Sequence, residues 1–174
     1  FVIGKCVAGG LPTALWGLRP DLATRFATYN ATRPPGHSGM GTTLSANPLQ
    51  FAALLATLTQ VATPTALAKM ERGAQRLATG LSCAIAAHGA PWHVVRVGAR
   101  VEFICAPGPL RNGFEAARAH APEVEAVTHL ALLNRGSLIA PFHNMMLVSP
   151  VTTRAQIDRL VANFHAVLGM LFSK

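Results

Sequence analysis

With 174 residues, 51% of them hydrophobic and only 13% charged, the chain can form one ordinary domain, or two small pieces of a larger architecture, with a core of useful size. The net charge of +8 comes mostly from arginines scattered between Arg19 and Arg159. They form no basic run with interleaved aromatics, so nucleic-acid binding is not expected and the charge reads as a solvated surface that could attract acidic small molecules. No stretch of about 18 uncharged apolar residues marks a membrane span, and no basic leader marks a signal peptide. Cys6, Cys83 and Cys105 are odd in number and widely spaced, which suits reduced thiols in a cytoplasm and no disulfide. The chain opens inside an apolar segment without an initiator methionine, and we expect it to be the later part of a longer protein.

In chain order, Val2 to Val7 reads as a buried β-branched strand ended by the turn Gly9-Gly10-Leu11-Pro12. Leu15 to Leu18 reads as a second short strand, and Pro20 starts a short helix. Residues 28 to 43 lack periodicity, and so long an irregular segment is usually functional. Asn47-Pro48 and Thr63-Pro64 each pair an N-cap with a first-turn proline, opening helices over Leu49 to Ala62 and Thr65 to His88. In the second of these, Leu67, Met70, Ala74, Leu77, Leu81, Ala84 and His88 form one apolar stripe, and Gly89 closes it. Beyond it the pattern becomes α+β. Trp92 to Val97 and Arg100 to Cys105 suggest a hairpin about Gly98-Ala99. Helices follow over Phe114 to His120 and Glu123 to Arg135, then short strands over Ser137 to Ala140 and Met145 to Ser149. A capping box from Thr153 to Gln156 opens a last helix with Ile157, Leu160, Val161, Phe164, Leu168 and Leu171 inward. The expected domains are residues 1–63, a connector helix over 64–89, and a small α+β unit over 90–174.

Among the three lysines, Lys69 lies off the apolar stripe and Lys174 is terminal, so both read as solvated charges. Lys5 sits in an apolar run before a glycine pair. Desolvation lowers a lysine's pKa, and a neutral amine attacks carbonyls to form imines. The competing reading is a strand-end lysine whose amine reaches water while its stem packs. A second candidate is Gly39 to Pro48, where glycines, hydroxyls and free amides precede a helix N-terminus; it could bind an anion or simply cap the helix. No histidine stands at metal-ligand spacing with a cysteine or carboxylate, so no metal site is expected. His143-Asn144 between two short strands reads as turn chemistry or as the border of a substrate pocket.

Gly4-Lys5, Gly9-Gly10-Leu11-Pro12 and Thr43-Leu44-Ser45-Ala46-Asn47-Pro48-Leu49 together resemble the latter part of a class III pyridoxal-phosphate-dependent aminotransferase. The branch most similar is that of glutamate-1-semialdehyde aminomutase and the β-amino-acid transaminases. The segment Leu132 to Met145 is similar to its transaminase side. The resemblance implies an α/β fold of fold type I, with the end of the large cofactor domain followed by a small α+β C-terminal domain. It implies that Lys5 forms a Schiff base with pyridoxal 5'-phosphate and then moves a proton between substrate and cofactor carbons. Thr43, with the backbone at Thr42, matches the position that contacts the cofactor phosphate, typically that of the neighbouring subunit in a homodimer. The implied reaction moves an amino group between an amino acid or amine and a keto acid. A glutamate-1-semialdehyde-type aminomutase and a catalytically incomplete fragment or interaction subunit of this fold are the alternatives. The sequence departs from the family pattern at Ala14, Leu18 and Ala46, where glycines are usual. The family's ring-pairing aspartate, stacking aromatic and first phosphate loop precede the lysine and are not in this sequence.

Overall fold

The computed structural model describes residues 1–37, 39–41, 43–140 and 144–172, and the chain divides into two units, Phe1–Thr63 and Pro64–Lys174. In the first, strand β1 (Val2–Ile3) pairs antiparallel with β2 (Leu15–Trp16), Val2 opposite Trp16 and Ile3 opposite Leu15. The strand expected over Val2 to Val7 thus stops at Ile3, and its residues are exposed rather than buried. A 3-10 turn over Lys5–Ala8 replaces the rest, because Lys5 turns to a φ of 64°, which a strand cannot accommodate. Helix α1 (Pro20–Ala31) runs further than its sequence suggested and absorbs Thr28 to Ala31. The hydroxyls of Thr24 and Thr28 donate to the carbonyls of Pro20 and Thr24, and the residue before Pro34 cannot stay helical. Helix α2 (Pro48–Ala56) is capped by Asn47, whose side chain accepts from the amides of Leu49 and Gln50, and it widens into a π turn over Thr57–Val61.

The first unit buries little. Of its described residues only Ala8 and Leu54 are buried, whereas Phe1 is 77% and Leu49 66% exposed.

The second unit has a continuous core. Helix α3 (Pro64–Ala87) buries the part of its stripe from Ala74 to Ala84, together with Ala78 and Ile85, against helix α6 (Arg154–Leu171) and one face of a small sheet; Leu67 stays exposed. The sheet has the order β3 (His93–Val97), β4 (Arg100–Ile104), β5 (Met145–Leu147), all antiparallel, with Val97 opposite Arg100 across the Gly98 turn. Trp92 stacks on Phe103 with centroids 5.8 Å apart, and Phe103 meets Phe164 of α6 at 4.8 Å. Such aromatic pairs contribute beyond their area burial, by about 0.5–1.5 kcal/mol each. Helices α4 (Gly113–Arg118) and α5 (Pro122–Asn134) lie between β4 and β5 in the chain, and α5 packs on α6. The capping box at Thr153 and Gln156 is formed.

Ser137 to Ala140, expected as a strand, is irregular. The amide of Ser137 closes the end of α5 on the carbonyl of Leu132, and its hydroxyl accepts from Asn163 of α6 at 2.8 Å. Only its last residue reaches the sheet, the amide of Ala140 donating to the carbonyl of Met145 at 3.2 Å, so the segment forms no ladder. Among the described residues no single helix is long and apolar enough to cross a membrane.

Two glycines set the approach of α6 to α3. A Cβ on Gly80 would stand 2.6 Å from Val161 Cγ2 of α6, and one on Gly73 would stand 3.4 Å from Ile157 Cδ1 of α6 and 2.9 Å from Val148 Cγ1 just past β5. Gly80→Ala is therefore expected to cost about 1–3 kcal/mol through overpacking. Chemical denaturation measures it, and an unchanged midpoint would refute the packing argument.

All three thiols are free. Burial, with a smaller contribution from the charge of Glu125, pushes the Cys105 thiol up to about 12. Thiolate is the reactive form, so Cys105 should resist alkylation at pH 8 while the exposed Cys6 and Cys83 are modified. Mass mapping after brief iodoacetamide treatment reads the order directly; equal labelling of Cys105 would contradict it.

Candidate functional site

The Lys5 loop is built by the short β1–β2 pair and by glycine. The amide of Gly17 donates to the carbonyl of Phe1 at 3.0 Å, and the amino group of Phe1 donates to the carbonyl of Gly17, extending the ladder by one residue. On the other side of the pair, a Cβ on Gly4 would touch Ala14 at 3.4 Å. Lys5 follows in the left-handed region, and the 3-10 turn ends on Gly9 and Gly10, at φ 63° and 107°. A non-glycine residue at positive φ costs of the order of 1 kcal/mol and is concentrated at functional positions. The Lys5 side chain is exposed, and no hydrogen bond or ion pair holds its amine among the described residues. The burial expected from its apolar sequence neighbours is thus not supplied by this unit.

Helix α2 supports the loop. The Lys5–Ala8 turn packs on it, and Gln50 Nε2 donates to the carbonyl of Pro12 at 2.8 Å. Thr43 lies in the turn that leads into the same helix and is exposed. Both sequence-identified positions therefore flank α2, one against its side and one at its entrance. Thr42 lies outside the described residues, as does His143. Ala46 has a φ of 58°, which explains why glycine is the usual residue there: the turn into α2 needs the left-handed region.

What this donor set can hold is half of a carbonyl-cofactor site. It offers a primary amine with no partner among the described residues and the exposed Thr43 hydroxyl, while the first amides of α2 are already taken, those of Leu49 and Gln50 by Asn47 Oδ1 and that of Phe51 by the Asn47 carbonyl. The Thr13 hydroxyl oxygen, buried and without a hydrogen-bond partner among the described residues, is a polar group that sequence reasoning missed. Apart from the chain's charged groups in the second unit, the only carboxylate of residues 1–63 is Asp21, and Arg19 Nη2 holds it at 2.8 Å. The set therefore fits the aldehyde and phosphate ends of pyridoxal phosphate and provides no acid for its ring nitrogen.

In the second unit, Asn144 is buried in a turn at a φ of 45°, its amide donating to the carbonyl of Phe103 at 3.4 Å, and it also lines a cavity with Glu102, Phe103, His120 and Glu125. No group of three or more His, Cys, Asp or Glu residues among those described could hold a metal. His88 and His165 instead pair with each other between α3 and α6 at 3.1 Å, and His120 pairs with Glu125.

The fold and the lysine loop have counterparts among known proteins. The family model of class III aminotransferases matches residues 1–168, and the chain belongs to that family. Its architecture is that of fold type I. Among curated relatives, the glutamate-1-semialdehyde 2,1-aminomutase of Desulforudis audaxviator is 31% identical over 98% of this chain. Among solved structures, the glutamate-1-semialdehyde-aminomutase of Pseudomonas aeruginosa PAO1 superposes with a TM-score of 0.92 at 40% identity over 98% of this chain, and one of its crystals holds PMP. A β-phenylalanine aminotransferase from Variovorax paradoxus follows at 0.80 and 29% over 97% of the chain. The chain spans 38% of the length of the curated relative and 39% and 38% of the two crystallised chains.

The strain at Ala46 is directly testable. Ala46→Gly should leave stability unchanged or raise it by up to about 1 kcal/mol, since relief of the left-handed strain outweighs or balances the added freedom of the unfolded chain. A loss above that magnitude in thermal unfolding would show that the turn does not need glycine's conformation.

Proposed function

We propose that this chain carries the lysine half of a pyridoxal-phosphate-dependent transaminase that moves an amino group between an amino acid or amine and a keto acid. The observation that carries the reading is Lys5 itself: an amine with no partner among the described residues, in a strained conformation, at the start of a turn packed on α2. When bound, pyridoxal phosphate supplies an aldehyde that takes up an amino group and a ring that draws electrons from the substrate carbon. Lys5 Nζ would hold that aldehyde between turnovers and, once freed, would carry a proton from the substrate carbon to the cofactor carbon. The Thr43 hydroxyl would donate to the phosphate beside the entrance of α2, where the helix dipole favours negative charge. The acid that pairs with the ring nitrogen comes from outside residues 1–63, because Asp21 is engaged by Arg19. The large apolar groups that the first unit leaves in solvent support an assembled enzyme, a homodimer in which Thr43 serves the partner's site.

An aminomutase that returns the amine to the same carbon skeleton is the second reading. It is favoured by the higher similarity to the P. aeruginosa aminomutase, 40% identity against 29% for the aminotransferase. The segment Leu132 to Met145 supports the transaminase. Requirement for an amino acceptor separates them: a transaminase stalls after its first half-reaction without a keto acid, and an aminomutase does not.

In the enzyme that carries this chain, borohydride reduction with pyridoxal phosphate should place the pyridoxyl label on Lys5, and Lys5→Ala should lower turnover by about 10²–10⁴-fold. A label on any other residue, with Lys5 unmodified, refutes the assignment.

A further inference from the structure

We propose that a cleft between the first half of α3 and the start of α6, within the second unit, binds a small anion of the phosphate class, such as a phosphomonoester or pyrophosphate. Lys69, Arg72 and Arg76 follow one another at steps of three and four, and so share one face of α3; Arg154 faces them from α6. Together they line a cavity of about 310 Å³, at the small end of the roughly 300–1,000 Å³ typical of ligand sites. No carboxylate is among its walls.

Charge balance makes the cleft unusual. Arg76 is neutralised by a two-point pair with Asp158, Nε to Oδ1 at 2.7 Å and Nη2 to Oδ2 at 2.8 Å. The hydrogen bond from Arg76, and to a smaller degree the charges of Arg76 and Arg154, hold the Asp158 carboxyl below the ordinary carboxylate range. Lys69, Arg72 and Arg154 have no hydrogen-bonding or ion-pair partner for their side chains among the described residues. Like charges set side by side on a helix repel, and an anion of two or more charges relieves that repulsion while accepting from several donors at once.

The walls also define the ligand's size and kind. Gly73 and Ile157 line the cleft beside the cations, and a Cβ on Gly73 would already stand 3.4 Å from Ile157 Cδ1. The Thr152 and Thr153 hydroxyls are engaged by Ser149 and Gln156, so the cations supply the binding. No aromatic ring lines the cleft, and a nucleobase would find nothing to stack on. Arginine's planar donors match phosphate oxygens two at a time, which favours a phosphoryl group over a spherical halide.

Calorimetric titration of the whole chain with sodium pyrophosphate at low ionic strength tests this. One saturable site is expected, weakened at ~0.15 M salt by screening. Arg72→Gln and Arg154→Gln should each weaken it by about tenfold or more, while Arg118→Gln on α4 leaves it unchanged. Circular dichroism confirms that each variant is folded, and Lys69→Gln provides a third readout should either arginine variant fail to fold. Heats that do not saturate by ~10 mM, or equal affinity in the folded variants, overturn the site. Succinate binding as tightly as pyrophosphate overturns the phosphate assignment.

Discussion

The close approach of α6 to α3 is the constraint on which the second unit depends. Gly73 and Gly80 remove the side chains that would hold the helices apart, and Val148, Ile157 and Val161 fill the space they leave. With the helices at that distance, Phe164 reaches Phe103 and Trp92, and the three-stranded sheet gains a continuous apolar floor. The same approach brings Arg154 and Asp158 of α6 beside Arg72 and Arg76 of α3. Core packing and surface electrostatics in this unit therefore come from one geometric choice.

The first unit is organised differently. Its lysine loop is held by a two-residue strand pair, by glycine turns and by one side-chain hydrogen bond from Gln50, with hardly any core beneath. Precision at Lys5 comes from backbone conformation more than from burial. Such a site tolerates change at exposed positions such as Leu18, which stands 42% exposed where glycine is usual, and is sensitive where φ is positive.

Much of this was legible in the sequence, and the exceptions have physical causes. The helices announced themselves through caps and period: Asn47, Thr153 with Gln156, and the stripe from Ala74 to Ala84 all act as their spacing suggests. Lys5 stood out as a candidate by elimination and by its motif, but its conformation did not, because the letters Gly-Lys-Cys carry no sign of a left-handed lysine. Ala46 was visible as a departure, and its φ supplies the reason. The segment Ser137 to Ala140 misled because its apolar letters suit a strand, whereas Asn163 and the end of α5 claim its polar groups. The basic cleft was invisible for another reason: Lys69 and Arg154 are 85 positions apart, and only tertiary packing makes them neighbours.

The unequal cores of the two units bear on how local motion is distributed along the chain. Residues 64–174 enclose a continuous buried core, whereas residues 1–63 leave Phe1, Leu44, Leu49 and Leu55 in water. Opening free energy follows buried apolar contact, so the backbone amides of the lysine loop and α2 exchange with solvent well before those of α3 and α6.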